Sequence, residues 1–312
     1  MTLHHFADPI GAVDKPIEGS LLAHVTCHFA PERMHYLSSV LREIGSYRFS
    51  KIVIVVDTNS DEGADRAQGL VVELGLSRNV EVRCDVHSDL EAPFILTWAH
   101  RAHVQDSLER FDYVMYLEDD ILVPWRAIAA WHRDTSILYP RRLLRGFLRV
   151  EINAAGRLVS TDYTRAERHP VFLRVADRIF LIPRNPYHAF WIYGRSQMQE
   201  FVQSKSWSDP PCRMGTREKA ACGMMFSNVP ESLLIPRRRF QSRVLLPLDA
   251  SLTIPEECFV YHLPANYSRF NAGARRGFGT VPVQNLLGSR VRRFLLRGRP
   301  GANQIDVAEA PP

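Results

Sequence analysis

The stretch DYVMYLEDDILVPWRAIAAW, Asp112 to Trp131, joins an apolar run, three adjacent acids and a pattern of helical spacing. DYVMYL reads as a strand, so Glu118, Asp119 and Asp120 stand at its carboxyl end. Neighbouring carboxylates repel one another, so such a triplet needs positive charge close by. What surrounds it in the chain decides what that charge is for.

Upstream, strand and helix signals alternate. LLAHVTCHF (Leu21 to Phe29) reads as a strand. PERMHYLSSVLREIGSY then opens a helix at Pro31, with Met34, Leu37, Val40, Leu41 and Ile44 at helical spacing. KIVIVVD is a continuous β-branched run, as suits a parallel strand covered on both faces. A helix over Asp65 to Leu74, a strand NVEVRCDV and a helix from Leu96 to Phe111 lead to the triplet strand. This succession predicts an α/β fold with a doubly wound, mainly parallel sheet.

Beyond Trp131 the rhythm changes. GFLRVEINAAGRLVSTD predicts a hairpin around Ala155-Gly156, and RIFLIP and CFVYHL predict strands. FWIYGRSQMQEFVQS reads as a turn entering a helix, and TREKAACGMMF as a short helix. No Gly/Ser-rich or charged linker intervenes. The reading is therefore an N-terminal extension (1–20), one domain over 21–268 with an elaborated second half, and an appendage (269–312) whose end reads as disordered.

Composition bounds the classes. At 312 residues, 46% hydrophobic and 23% charged, the chain matches an ordinary globular protein. The five cysteines are scattered without a CxxC pair, which fits reduced thiols in a cytosol. The N-terminus lacks a basic region followed by an apolar run, so it does not read as a signal peptide, and no segment reaches the roughly 18 apolar residues of a membrane span. The net charge of +5 is unevenly placed: Arg269 to Arg299 holds eight arginines and no acid. Within it, QNLLGSRVRRFLLRGR (284–299) reads as a basic amphipathic helix, suited either to an anionic membrane surface or to packing on the domain. No nucleic-acid-binding motif accompanies the arginines.

In open α/β sheets the ligand lies outside the carboxyl ends of the strands, so Asp57 and the triplet open onto one crevice. Clustered carboxylates there suit a hard divalent cation, Mg²⁺ or Mn²⁺, which can neutralise a diphosphate leaving group.

A strand ending in an acidic DxD or EDD triplet behind a nucleotide-binding half resembles the GT-A glycosyltransferases. YLEDDILVPWRAIAAW is similar to the EDD loop and following helix of the N-acetylglucosaminyltransferase I-like families. The resemblance covers Leu21 to Ser268 in order of elements, and the triplet with its flanks is its specific part. It implies a GT-A-like fold, a nucleotide-diphosphate sugar donor, a divalent metal, and transfer to a glycan or lipid-linked acceptor, of inverting type. By that pattern Asp120 ligates the metal, and Glu118 and Asp119 hold the ribose or donor sugar. Asp57 and Thr26 contact the base or ribose, and His262 of CFVYHL returns to the metal or is a core histidine.

Arg101, in the helix before the triplet strand, either reaches a diphosphate or is a surface cation. Glu218 of TREKAA is the candidate general base, with Asp209 of WSDPP competing; a plain helix first turn explains Glu218 equally. Trp191, Tyr193 and Trp207 form either an acceptor-sugar platform or core. A nucleotidyltransferase is the rival enzyme class, but HVTCHFAPERMHY holds no glycine for a phosphate loop. A nucleotide-sugar-binding protein without turnover is the rival outside enzymes. The whole reading places the chain in the cytoplasm, peripheral to a membrane.

Overall fold

The computed structural model describes residues 15–167, 170–269 and 281–287, with the backbone of 304–306. Residues 1–14 of the expected extension and 288–299 of the basic segment lie outside the described residues. The chain divides into two compact units, residues 15–125 with 189–227, and the remainder. The sequence reads a single domain here because the first crossing between units falls at 125–126, inside the helix Trp125–Leu138. A continuous helix leaves no linker composition to notice.

The first unit is built on β1 (Ile17–Cys27), α1 (Met34–Gly45), β2 (Phe49–Thr58), α2 (Asp61–Leu74), β3 (Val80–Val86), α3 (His100–Ser107) and β4 (Tyr113–Glu118). Leu37, Val40, Leu41 and Ile44 form the buried stripe of α1. Helix α2 begins at Ser60, whose hydroxyl accepts from the Gly63 N–H, and ends at Gly75 in the left-handed conformation. Its start at Asp61, ahead of the expected Asp65, follows from that cap. The expected helix from Leu96 divides into a 3-10 segment, Pro93–Trp98, and α3.

The sheet runs β3-β2-β1-β4, all parallel, and the strand Phe190–Gly194 adds antiparallel to β4. This is a Rossmann-like α/β arrangement. Phe190–Gly194 is a correction to the expected turn: its residues are nearly all buried, and β4 supplies the pairing that a local pattern cannot show.

The second unit carries mixed sheets. Leu148–Ile152 and Leu158–Ser160 form the expected hairpin, and Phe259–His262 pairs parallel with the first of these. Arg178–Ile182 pairs antiparallel with Val171–Val175 and with Val244–Pro247. Val281–Pro282 pairs with Leu158–Ser160, Gln304–Asp306 pairs with Val171–Val175, and Leu286 and Leu287 are buried in this unit's core. Parts of the expected appendage are thus woven into the unit. Leu287 belongs to its core instead of to an exposed amphipathic face. Among the described residues no helix is long and apolar enough to cross a membrane.

Candidate functional site

After β1 the chain steps outward through β2 and β3, then returns to place β4 on the other side of β1. The reversal between β1 and β4 is the topological switch point, where open α/β sheets bind ligands. Thr26, at the end of β1, faces Asp57 across one strand pair and Glu118 across the other. The Asp119 N–H donates to the Thr26 carbonyl at 3.0 Å, which fixes the triplet to the end of β1.

Among the described residues, Arg33 and Arg217 bring positive charge to the triplet. Arg33 closes the 3-10 turn Pro31–Arg33 after β1. Its Nη2 donates to Asp119 Oδ1 at 2.6 Å and to Asp120 Oδ2 at 2.9 Å, and its Nε donates to Asp119 Oδ2 at 3.2 Å. Arg217 Nε lies 3.5 Å from Glu118 Oε2. Burial pushes Asp119 up to about 6, against the Arg33 hydrogen bonds and with the Asp120 charge adding to the rise. The sequence offered a weak sign for Arg33, a cation just beyond the first strand. Arg217 looked like part of an ordinary helix turn.

Asp57 stands where expected but does not open onto the crevice. Its side chain is 1% exposed; Oδ2 is 2.7 Å from His24 Nδ1 and Oδ1 is 3.0 Å from His87 Nε2. Behind it runs a chain of fixed polarity. Arg83 Nη2 lies 2.7 Å from His103 Nε2, and a guanidinium only donates, so that nitrogen accepts. The Ser107 hydroxyl, which accepts from Arg110, lies 3.2 Å from the same nitrogen and can donate to it. His103 Nδ1–H therefore donates to His24 Nε2 at 2.8 Å, and His24 Nδ1–H to Asp57. Burial lowers His103 to about 4, which keeps it neutral at pH 7. Burial alone would raise Asp57, but the two histidines hold it below the usual carboxylate range. Of the two histidines on Asp57, His87 is the more exposed, 28% against 0% for His24, and it is raised mainly by its hydrogen bond to Asp57. Local sequence does not show these contacts: the pairing of β1 with β2 brings His24 to Asp57, and Arg83, His87 and His103 come from β3, the segment after it and α3.

Arg101 and the aromatic residues pack together. Arg101 is 8% exposed, and its Nη2 donates to the Ala220 carbonyl at 3.1 Å. Its guanidinium carbon lies 4.2 Å from the Trp207 ring centre, 4.7 Å from Phe201, 5.1 Å from Trp98 and 5.7 Å from Trp191. Each ring face attracts the cation, more strongly in a desolvated setting. Trp191 and Tyr193 stack at 5.4 Å in the core, Trp191 Nε1 donates to the Ala220 carbonyl, and the Tyr193 hydroxyl accepts from the Met224 N–H. Arg101 is thus a buried strut rather than a phosphate ligand or a surface cation; Trp191 and Tyr193 take the core alternative, and Trp207, half-buried, sets its ring against the guanidinium.

Thr216–Ala221 forms the expected short helix. It is tied to the 3-10 segment before α3 by Trp98 Nε1, which donates to the Thr216 carbonyl at 3.0 Å. Because Arg217 pairs with Glu118, the structure brings the segment carrying Glu218 to the triplet. The Glu218 carboxylate folds back over Gly215, where a Cβ would come within 2.5 Å of its Oε2. Asp209 is 78% exposed and engaged by Lys219 Nζ at 2.6 Å. His262 belongs to the second unit, where its Nδ1 lies 2.6 Å from Glu151 Oε1. Glu151 also accepts from the Ser268 and Tyr267 N–H groups, and against the effect of burial the His262 bond helps hold it low. His262 is itself buried, 7% exposed, which agrees with the core-histidine alternative.

Among the described residues, no group of three or more His, Cys, Asp or Glu side chains is arranged to hold a metal ion. Asp119 and Asp120 present hard oxygens on one edge, shared with Arg33. That donor set fits a cation drawing most of its shell from phosphate and water, as Mg²⁺ does, and not one enclosed by protein alone. The fold and this edge together define a Rossmann-like α/β chain with an arginine-neutralised acidic switch point. No protein-family model matches the chain, and no curated protein matches it.

Proposed function

We propose that the chain is a metal-dependent glycosyltransferase of GT-A type, moving a sugar from a nucleotide-diphosphate donor to a glycan or lipid-linked acceptor. The observation that carries this reading is the acidic triplet at the switch point, hydrogen-bonded to the end of β1 and neutralised by Arg33 and Arg217. Asp120 and Asp119 would hold Mn²⁺ or Mg²⁺. Bound there, the cation would neutralise the diphosphate leaving group.

The chain's own residues have separate tasks in this reading. Arg33 and Arg217 add positive charge for the diphosphate, and guanidinium forks suit phosphate oxygens. Glu118 orients the donor sugar, and His87, steadied by Asp57, faces the nucleotide. Glu218 accepts the proton of the attacking hydroxyl, the role an inverting transfer needs.

A thermal-shift series of nucleoside diphosphates with and without Mn²⁺ tests the reading. Ligand at about 100 times Kd adds about 2.7 kcal/mol of stability, so a donor nucleotide should stand out only with metal present. Asp120→Ala should abolish the metal-dependent shift, read against the variant's own metal-free baseline because it also removes one of the two carboxylates on Arg33. Equal shifts in Asp120→Ala and wild type would remove the triplet from the metal site. Metal-dependent hydrolysis of the matching nucleotide sugar then separates an enzyme from a binding protein.

A further inference from the structure

The short helix Thr216–Ala221 and the loop before it carry a second chemical feature. Cys212 Sγ and Cys222 Sγ lie 3.9 Å apart. Cys222 is buried, with its Sγ 3.1 Å from the Glu218 carbonyl oxygen and 3.5 Å from Met214 Sδ. Cys212 is half-buried, on the loop turn where its N–H donates to the Pro210 carbonyl. One sulfur is therefore reachable and the other waits behind it.

We propose that Cys212 and Cys222 are a redox-active dithiol, oxidised to an intramolecular disulfide by exchange with small disulfides of the glutathione type. The Cys212 thiolate attacks one sulfur of the small disulfide, forming a mixed disulfide and expelling one thiolate. Cys222 then loses its proton, its sulfur attacks Cys212 Sγ, and the second small thiolate leaves. Two protein thiols are oxidised, one small disulfide is reduced to two thiols, and atoms and electrons balance.

The environment assigns these roles. The Cys222 hydrogen bond, with help from the Met214 N–H and Lys219, brings Cys212 down to about 7 against partial burial. Near neutral pH it is about half thiolate, roughly tenfold more than an ordinary thiol. Burial and the neighbouring Cys212 push Cys222 up, as fits a resolving thiol that acts second. The other cysteines make internal controls: Cys27 and Cys258 are buried and raised by burial, and Cys84 is raised too. Along the chain, Arg217, the partner of Glu118, and Glu218 lie between Cys212 and Cys222, so the disulfide would close a loop around the segment that meets the triplet. The dithiol chemistry itself does not depend on the sugar-transfer reading.

Full-length protein equilibrated in buffers of graded reduced and oxidised glutathione, then acid-quenched, alkylated and weighed intact, tests the pair. Wild type should lose two hydrogens and protect Cys212 and Cys222 together, reversibly with dithiothreitol. Cys222→Ser should stop with one glutathione on Cys212, and Cys212→Ser should leave Cys222 alkylated only after unfolding. The rate should rise with pH, with its midpoint near the Cys212 value. A wild type that retains glutathione on Cys212, or leaves both thiols alkylated at every ratio, overturns the proposal. So does a disulfide that forms through Cys84.

Discussion

Replacing Arg33 by methionine tests the account of the triplet directly. The variant keeps an unbranched chain but removes the guanidinium that bridges Asp119 and Asp120, whose side chains are 4% and 7% exposed. Breaking a buried pair costs about 3–5 kcal/mol. Arg33 is itself 34% exposed, so solvent screens part of that, and about 2 kcal/mol at pH 8 is expected. The pH dependence carries the sharper test. Asp119 has a raised folded value, about 6, so its contribution is fully present below its unfolded value and is lost as pH rises through 6. Without Arg33 the carboxyl holds its proton to still higher pH. The variant should therefore lie close to wild type at pH 5 and fall behind as the pH climbs to 8. Urea denaturation at both values reads this as a lower midpoint with an unchanged slope. Saturating Mn²⁺ should restore much of the loss at pH 8, because the cation takes the place of the guanidinium charge. A loss of equal size at pH 5 and pH 8 would refute the electrostatic reasoning, and failure of Mn²⁺ to restore stability would count against the metal edge.

Arg101→Ala should cost on the order of 3 kcal/mol, since it empties a cage of four rings, while nucleotide affinity of the folded fraction stays unchanged; lost affinity at normal stability would return Arg101 to the phosphate. Nucleotide affinity should weaken as pH rises through the raised His87 value, and His87→Gln should flatten that limb. The groups facing His87 in this test are Asp57 and Asp85, with His24, His103 and Arg83 behind them; an unchanged limb in the variant assigns the titration elsewhere. Glu218→Gln should lower turnover by roughly 10²- to 10⁴-fold with donor affinity retained. Asp209→Asn, which only frees Lys219, should stay near wild type, and the reverse outcome would move the base to Asp209.

The sequence by itself determined the run of β1 to β4 and the position of the triplet. β-Branched runs, helical spacing and strand-ending acids are local signals, and here nothing in the tertiary packing opposed them. It also placed Asp57, Thr26 and the acids at strand ends, because strand length and polarity are written along the chain. What it did not contain was the set of partners. Arg33 and Arg217 look alike in sequence to many surface arginines, and only the return of β4 beside β1 makes them counterions. Phe190–Gly194 became a strand because β4 had an open edge to pair. Asp57 was withdrawn from the crevice by His24, a residue on another strand brought near by register. The aromatic residues around 191–207 left a sugar platform and a core both open, and it is their contact with Arg101 from α3 that the chain pattern did not show. Residue type and spacing say what a side chain can do. Burial, register and the nearest opposite charge decide which of those things it does, and they arise from contacts between segments far apart in the chain.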